Sequence, residues 1–291
     1  MPIGAKILVD ALCACPGGSG INSSISLSRL GFKVGTVTKL GTDLNADSIL
    51  HTLKKENVSF LGVKGKGNTG FSVVFSGLRG NRTLLSYKGN NDKLSSRDIV
   101  QSKLKTKWFY FGTMLNTSWK TQCTLARYAK KNGINILFNP SLYLAERGRK
   151  FLQPVLSACS LLILNKEEAS AIAGSAGNVK TLLKKLQRNI PLVVITDGPH
   201  GAQAYNGMTF YSVHPKRVTV KEPTGAGDAF GSGYMAAIIK GKTLEEALTW
   251  GTVNSASVIG YTGGQRGLLK EAELPEWLAR TKSSEMKVKE F

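Results

Sequence analysis

Between residues 108 and 196 the chain alternates continuous apolar runs with amphipathic helical patterns. Strands are predicted at 108–111, 134–138, 161–164 and 192–196, and helices at 119–131, 166–173 and 179–187. Strands without polar alternation are typical of parallel strands buried on both faces, and their alternation with helices predicts an α/β sheet covered by helices on both sides. Ligands bind at the carboxyl ends of such strands, so polar residues that follow the strands are site candidates.

A glycine-rich turn stands further along the chain, where residues 223–230 read Pro-Thr-Gly-Ala-Gly-Asp-Ala-Phe after a β-prone run at 218–220. Gly225 and Gly227 allow a tight turn that presents N–H groups at a helix start, which is a site for anions such as phosphate. The Asp228 carboxylate would repel a phosphate there, unless it takes a proton from an attacking hydroxyl. The alternative interpretation is an ordinary acidic residue in the first turn of a helix.

A second glycine motif lies near the start, where residues 17–22 read Gly-Gly-Ser-Gly-Ile-Asn and Leu30-Gly31 closes the helix predicted after them. Together with residues 224–228, this motif resembles the two signatures of the ribokinase (PfkB) family of carbohydrate kinases. Two motifs about 200 residues apart, in the family's order, are more specific than either alone.

The resemblance implies a fold for the whole chain. We expect a single ribokinase-like domain over residues 1–291, an α/β fold built as a three-layer α/β/α sandwich with a mostly parallel central sheet and a small β lid. The lid strands are expected near 5–16, from the predicted strand 6–15, and near 71–87, where apolar runs flank a hairpin pattern. The resemblance also leaves a homodimer through the lid as an open expectation.

The resemblance further implies roles for particular residues of this sequence. It implies that Asp228 is the catalytic base and that Gly225, Ala226 and Gly227 form the anion hole over the transferred phosphoryl group. The residues that it implies for the sugar pocket are Gly17, Gly18, Asn22 and Asn91. The residues that it implies for binding the cofactor ATP are Thr224, Asn165, Glu168, Thr196, Gly198, Gly201 and Asn254.

Two metal sites are also implied. Asn165 and Glu168 follow a predicted strand and match a family motif that orders Mg²⁺ through water, although the same pair also fits a helix cap followed by a first-turn acid. Residues 263–264 match a loop that frames a monovalent-cation site. Glu222 stands there in place of the family's usual Asp, so K⁺ stays open as a further cofactor.

The net charge of +20 is compatible with a nucleic acid, an anionic membrane or a polyanionic substrate as partner. Lys and Arg are spread along the chain with no long unbroken run, which favours a basic surface over a nucleic-acid partner. No apolar run reaches the roughly 18 residues that span a bilayer, so no membrane partner is expected. Four cysteines without metal-site spacing indicate reduced thiols and a cytoplasmic location.

These observations predict an ATP-dependent kinase that phosphorylates a hydroxyl of a small sugar, a sugar phosphate or a nucleoside. The alternative is a catalytically impaired protein of the same fold that binds nucleotides or nucleic acid. Three features motivate the alternative: Glu222, the net charge, and an N-terminal region in which the family's usual opening strand is not matched.

Overall fold

The computed structural model describes residues 4, 6, 8, 9, 12–78, 81–215, 218–282 and 289–290. The helices of this part are α1 Ser19–Arg29, α2 Leu44–Lys55, α3 Asn116–Lys131, α4 Leu142–Ala145, α5 Gly148–Leu156, α6 Lys166–Ala173, α7 Val179–Gln187, α8 Ala226–Ile239, α9 Leu244–Val258 and α10 Leu274–Lys282. The strands are β1 Val34–Thr36, β2 Lys39–Leu40, β3 Val58–Phe60, β4 Val63–Lys64, β5 Phe71–Leu78, β6 Asn81–Tyr87, β7 Trp108–Phe111, β8 Asn135–Phe138, β9 Leu161–Asn165, β10 Leu192–Thr196, β11 Ala202–Tyr205, β12 Phe210–Val213 and β13 Lys289–Glu290. Short 3₁₀ helices lie at Gly89–Asp92, Ser96–Asp98, Gln101–Lys103, Gly198–His200 and Glu271–Glu273.

The central sheet has seven strands within the described part of the chain, in the order β13-β12-β11-β10-β9-β8-β7. Strands β7 to β10 are parallel, and β11 to β13 continue the sheet with antiparallel pairing. Five of the seven strands therefore run in one direction, as the mostly parallel prediction requires. Asn165 at the end of β9 lies opposite Thr196 at the end of β10, so two predicted site residues meet at one edge.

Alternate side chains of the sheet enter two different apolar cores. On β9, Leu162 and Leu164 pack into a core with helices α3, α5, α6 and α7. Leu161 and Ile163 point the other way, into a core with α1, α8, α9 and α10. Continuous apolar strands form here because both sheet faces are buried under helices. The predicted three-layer α/β/α sandwich is confirmed.

The hairpin of β5 and β6 forms a separate two-stranded antiparallel sheet. Phe71 pairs with Tyr87 and Val73 with Leu85 in its register. All four of these side chains are exposed. The hairpin predicted at 71–87 is thus present, with an apolar surface open to solvent.

The strand predicted at 6–15 is wrong where the structure describes it, and the β-prone run at 218–220 is not a strand either. Residues 6, 8, 9 and 12–15 of the strand predicted at 6–15 are not in a strand, and positions 7, 10 and 11 lie outside the described residues. Pro16, Gly17 and Gly18 follow directly, and these residue types disfavour a continued β-strand at this point. Residues 218–220 also form no strand; they lead into an irregular segment in which the Lys221 and Glu222 amides donate to the Ile259 carbonyl.

In the described part of the chain, we find no helix long and apolar enough to cross a membrane.

Candidate active site

The glycine turn at residues 223–227 begins α8 and sets the position of Asp228. Gly225 is the N-cap of the helix and has a φ of 82°, a left-handed conformation that favours glycine. A Cβ on Gly225 would lie 2.6 Å from the Gly264 Cα, so the two backbones also require a small residue here. Asp228 falls in the first helical turn as a result.

The open side of this turn faces solvent at Gly227. A Cβ on Gly227 would meet no atom within 4 Å, which leaves room for a ligand to approach the backbone. The Ala226 N–H donates to the Pro223 carbonyl at 3.3 Å and so takes part in the turn itself. The helix start nevertheless provides the positive dipole end that an anion binds.

Asp228 is held by a residue from the other end of the chain. Asn22, in α1, donates from Nδ2 to Asp228 Oδ2 at 2.8 Å. Burial raises the pKa of Asp228, while the polar side chains of Ser19 and Asn22 act in the opposite direction. A carboxylate with a raised pKa is better suited to accept a proton near neutral pH than an ordinary Asp.

Gln265 fixes the orientation of Asn22. Its Nε2 donates to Asn22 Oδ1 at 3.1 Å and to the Pro16 carbonyl at 2.7 Å. Arg29 Nη1 in turn donates to the Gln265 carbonyl at 2.9 Å and to the Leu268 carbonyl at 3.1 Å. The amide oxygen of Asn22 is thereby turned to Gln265 and its N–H₂ group to Asp228.

The opposite side of the site is formed by the ends of β7 and β8. Tyr110 Oη donates to Asn139 Oδ1 at 3.3 Å, and Asn139 Nδ2 donates to the Ile163 carbonyl at 2.8 Å. Burial raises the pKa of Tyr110 well above its ordinary value, and the charges of Asp228 and Glu168 raise it further. These three groups therefore lie within electrostatic reach of one another.

Sequence reasoning missed Gln265, Tyr110 and Asn139. Asn139 could have been found, because it is the polar residue that directly follows a predicted buried strand. Tyr110 lies inside an apolar strand, and its space depends on Gly231, where a Cβ would come within 2.6 Å of Tyr110 Oη. Neither Tyr110 nor Gln265 carries a signal in the local sequence.

Asn165 and Glu168 form a reciprocal capping box at the start of α6. Asn165 Oδ1 accepts from the Glu168 N–H and Glu168 Oε2 accepts from the Asn165 N–H, both at 2.8 Å. Glu168 is buried, which raises its pKa to about 7; the bond from Asn165 opposes the rise, and the charges of Glu167 and Asp228 add to it. The helix-cap interpretation is therefore correct for this pair, and the magnesium role stays a prediction.

An open cavity of about 390 Å³ lies beside this cap, at the ends of β9 and β10. Its lining residues are Asn165, Lys166, Glu167, Ser170, Thr196, Asp197 and Gly198. Lys166 pairs with Asp197 at 3.1 Å across it. The structure thus brings the predicted nucleotide residues Asn165, Thr196 and Gly198 together around one space.

Two other residues predicted for the nucleotide are engaged elsewhere. Gly201 has a φ of 92° and packs directly against the Val213 carbonyl. Asn254 is fully buried. Its Nδ2 donates to the Ala229 carbonyl at 2.8 Å and to Ser26 Oγ at 3.0 Å. Its Oδ1 accepts from the Leu269 N–H at 3.0 Å. Both N–H donors of Asn254 are thus used within the protein, and we leave it out of the proposed nucleotide site.

The residues predicted for the sugar pocket are only partly brought together. Gly17 and Gly18 directly precede α1, where Gly18 is the N-cap with a φ of 92°, and Asn22 contacts Asp228 one turn later. Asn91 lies in the 3₁₀ helix at Gly89–Asp92, where it is exposed and its carbonyl accepts from Ser118 Oγ. Among the described residues, no hydrogen bond joins Asn91 to Asp228.

Glu222 is bound within the protein. Its Oε2 accepts from the Gly263 N–H at 2.8 Å and so ties the segment before the glycine turn to the loop at 263–268. The described residues contain no cluster of three or more His, Cys, Asp or Glu side chains that could hold a metal ion.

The sequence model of the pfkB family of carbohydrate kinases matches residues 7–271 of this chain. The chain belongs to this family. An uncharacterised sugar kinase from Archaeoglobus fulgidus is 25% identical over 253 residues, which cover 86% of this kinase and 100% of the relative. A cytidine kinase from Thermococcus kodakarensis is 27% identical over 253 residues, which cover 85% of this kinase and 89% of the relative.

Solved structures show the same fold. The apo form of a candidate ribokinase II from E. coli has a TM-score of 0.85 at 22% identity, over 96% of this kinase and 93% of that chain. Its complex with ATP and Mg²⁺ has a TM-score of 0.81 at 21% identity, over the same shares. The ribokinase-like fold predicted for this kinase is confirmed.

Proposed function

We propose that this kinase transfers the γ-phosphoryl group of ATP to a hydroxyl of a small sugar, a sugar phosphate or a nucleoside. One observation carries the proposal: the Asp228 carboxylate stands in the first turn of α8, directly after the open glycine turn, and is oriented by Asn22 at 2.8 Å. A base and an anion-binding helix start are the two protein groups that phosphoryl transfer to an alcohol needs at one place.

In the proposed reaction Asp228 takes the proton of the acceptor hydroxyl as that oxygen attacks the γ-phosphorus of ATP. The bond from the γ-phosphorus to the β,γ-bridging oxygen breaks, and ADP leaves. The Asn22 amide keeps the carboxylate pointed toward the acceptor. The start of α8, at Gly225 to Gly227, stabilises the negative charge on the transferred group through backbone N–H groups and the helix dipole. Thr224 would lie beside the same phosphoryl group.

The residues present fit a Mg²⁺–ATP complex. Mg²⁺ takes oxygen ligands and commonly keeps waters and substrate phosphates, with only one or two carboxylates from the protein. Asn165 and Glu168 supply such oxygens. Burial raises the pKa of Glu168, the charges of Glu167 and Asp228 add to the rise, and a bound cation would favour the ionised form. When bound, Mg²⁺ supplies neutralisation of the phosphate charges. The complex of the E. coli neighbour with ATP and Mg²⁺ supports the same cofactors here.

We place the nucleotide in the cavity beside Thr196 and Gly198, and the acceptor on the side of Gly17, Gly18 and Asn22. The hairpin of β5 and β6 would cover the acceptor as a lid, and the acceptor would meet Asn91 below it. The exposed apolar side chains of the hairpin also support the proposal of a homodimer through this lid.

The relatives include a sugar kinase and a cytidine kinase, so both acceptor classes stay in the proposal. K⁺ activation through Glu222 and a cytoplasmic location are further proposals, the second supported by four free cysteines. The comparisons give no support to the alternative of a protein that has lost catalysis.

The test is ATP consumption with Mg²⁺ against sugars, sugar phosphates and nucleosides, for wild type, Asp228→Asn and a matched control. Asp47→Asn is that control, because Asp47 is an exposed carboxylate on α2 paired with Lys64. We expect turnover on one class and a loss of 10²- to 10⁴-fold in kcat for Asp228→Asn only. An Asp228→Asn variant that keeps the wild-type rate would refute the role of the base.

A further inference from the structure

Over half of the net charge of this kinase lies in one third of its chain. Residues 99–191 contain 15 Lys and Arg but only three acidic residues, so this segment carries +12 of the chain's +20. Its strands are buried in the central sheet, and its helices α3, α5, α6 and α7 cover one face of that sheet. Twelve of these 15 cations lie on these helices or directly at their ends, so most of the excess charge belongs to a single helical layer.

We define the basic face as the cations of three of these helices and their ends. Its residues are Lys120, Arg127, Lys130 and Lys131 of α3, Arg147, Arg149 and Lys150 at the start of α5, and Lys184, Lys185 and Arg188 at the end of α7. All are exposed except the half-buried Arg149. The acidic residues exposed on this layer are Glu146 and Glu167.

Direct contacts join the three helices into one surface. Trp119 of α3 stacks on Phe151 of α5 with ring centroids 5.1 Å apart, and the Arg147 guanidinium lies 4.5 Å from the Phe151 ring. On the other side, Arg149 Nη1 donates to the Leu186 carbonyl of α7 at 3.2 Å. The cations of α5 thus lie between those of α3 and α7.

The charges of this face are not neutralised internally. None of its ten cations forms an ion pair with a carboxylate within the described ranges, whereas Arg29, Lys39, Lys64 and Lys240 outside the face each do. Like charges held together without carboxylate partners repel one another, so a polyanion that lies on them gains favourable electrostatic energy.

We propose that the basic face binds double-helical nucleic acid through its phosphate backbone. Three neighbouring helices, each about 10 Å across, span about 30 Å, a length over which a duplex presents many phosphates. Large apolar side chains are rarely exposed on this layer, where Tyr143 is 42% exposed. Protein partners and single strands are usually held by several exposed apolar or aromatic anchors, and a surface with so few of them favours a duplex backbone.

The site around Asp228 lies at the carboxyl ends of the strands, whereas the basic face is the outside of a helical layer. Duplex binding would therefore leave the phosphoryl-transfer site open. The inference adds a second ligand to the kinase and does not depend on which acceptor the kinase phosphorylates.

The test is fluorescence anisotropy of a labelled 20-base-pair duplex of arbitrary sequence, as RNA and as DNA, from 50 to 200 mM KCl. The variant Arg147→Glu, Lys150→Glu, Lys184→Glu reverses three charges of the face. The control Lys33→Glu, Lys54→Glu, Lys55→Glu makes the same change of net charge at exposed positions outside it. Melting temperatures check that both variants fold, and three Gln substitutions replace the Glu set if it unfolds.

We expect micromolar duplex binding at 50 mM KCl that weakens steeply with salt. The face variant should lose at least tenfold in affinity and have a shallower salt dependence, and the control should lose much less. Equal losses in both variants, or no duplex binding at 50 mM KCl, would overturn the proposal. Tighter binding to a single strand, an acidic peptide or phosphatidylserine vesicles would overturn it as well.

Discussion

Replacing Gln265 by Leu tests whether the orientation of Asn22 controls the proposed base. The change removes the two bonds from Nε2, to Asn22 Oδ1 at 3.1 Å and to the Pro16 carbonyl at 2.7 Å. Asn22 is 4% exposed, so solvent cannot replace the lost partner. Leaving such a buried acceptor unpaired costs about 1–3 kcal/mol.

The freed side-chain amide of Asn22 can then rotate so that its oxygen faces Asp228. Asp228 thereby loses the hydrogen bond that it accepts from Asn22 Nδ2. A hydrogen bond to a charged group contributes about 1.5–3 kcal/mol, and one pKa unit corresponds to about 1.4 kcal/mol. We therefore expect the pKa of Asp228 to rise by about one to two units. Because the base acts in its ionised form, the acidic limb of the kcat/KM profile moves to higher pH. Below the wild-type pKa, the rate falls by about 10- to 100-fold.

The assay is kcat/KM from pH 5 to 9 for wild type, Gln265→Leu and Gln101→Leu, the last an exposed Gln in a 3₁₀ helix as control. The high-pH plateau of Gln265→Leu should approach wild type, and the KM for ATP should not change. A uniform loss at all pH values with an unmoved acidic limb would show that Gln265 only shapes the pocket, and would refute this reasoning.

Two further substitutions test the turn and the cap. Gly225→Ala should lower the free energy of unfolding by more than Gly241→Ala does. Both positions have positive φ, but only a Cβ at 225 meets Gly264. The difference between the two variants should exceed about 1 kcal/mol in urea unfolding, and equal effects would contradict this prediction. Relative to wild type, Glu168→Gln should gain more free energy of unfolding at pH 8 than at pH 5, and the difference should be up to about 3 kcal/mol. The sign follows because the folded pKa of about 7 lies above the ordinary 4.5, so ionisation of Glu168 opposes folding as pH rises through that window. A gap between variant and wild type that is the same at both pH values would contradict this.

The sequence predicted the central sheet well because its information is local. Strands β7 and β10 have the predicted bounds, since a buried parallel strand must be apolar at every position. The strand predicted at 6–15 was wrong at its described positions because a short apolar run does not specify a partner strand. The antiparallel extension by β11 and β12 was missed because Gln203 and Ser212 interrupt the apolar run that marks a buried strand.

The candidate site was predictable only where a motif marks a backbone conformation. The turn at Gly225 and the helix start at Gly18 are of this kind, because both require positive φ. Side chains that act through distant partners were missed or misplaced. Gln265 contacts Asn22 across 243 positions of sequence, and Asn254 is buried by contacts with three separate segments.

The bond between Asn22 and Asp228 joins positions 206 residues apart, and this separation has a consequence for synthesis. At about 5–20 residues per second, a ribosome needs roughly 10–40 s to go from one to the other. During that interval α1 has been made, but its buried polar residue has no carboxylate to meet. In the proposed mechanism, catalytic competence is therefore acquired late, when the nascent chain has delivered both α8 and the loop that carries Gln265. A chain interrupted before that point would hold most of the sheet and none of the proposed chemistry.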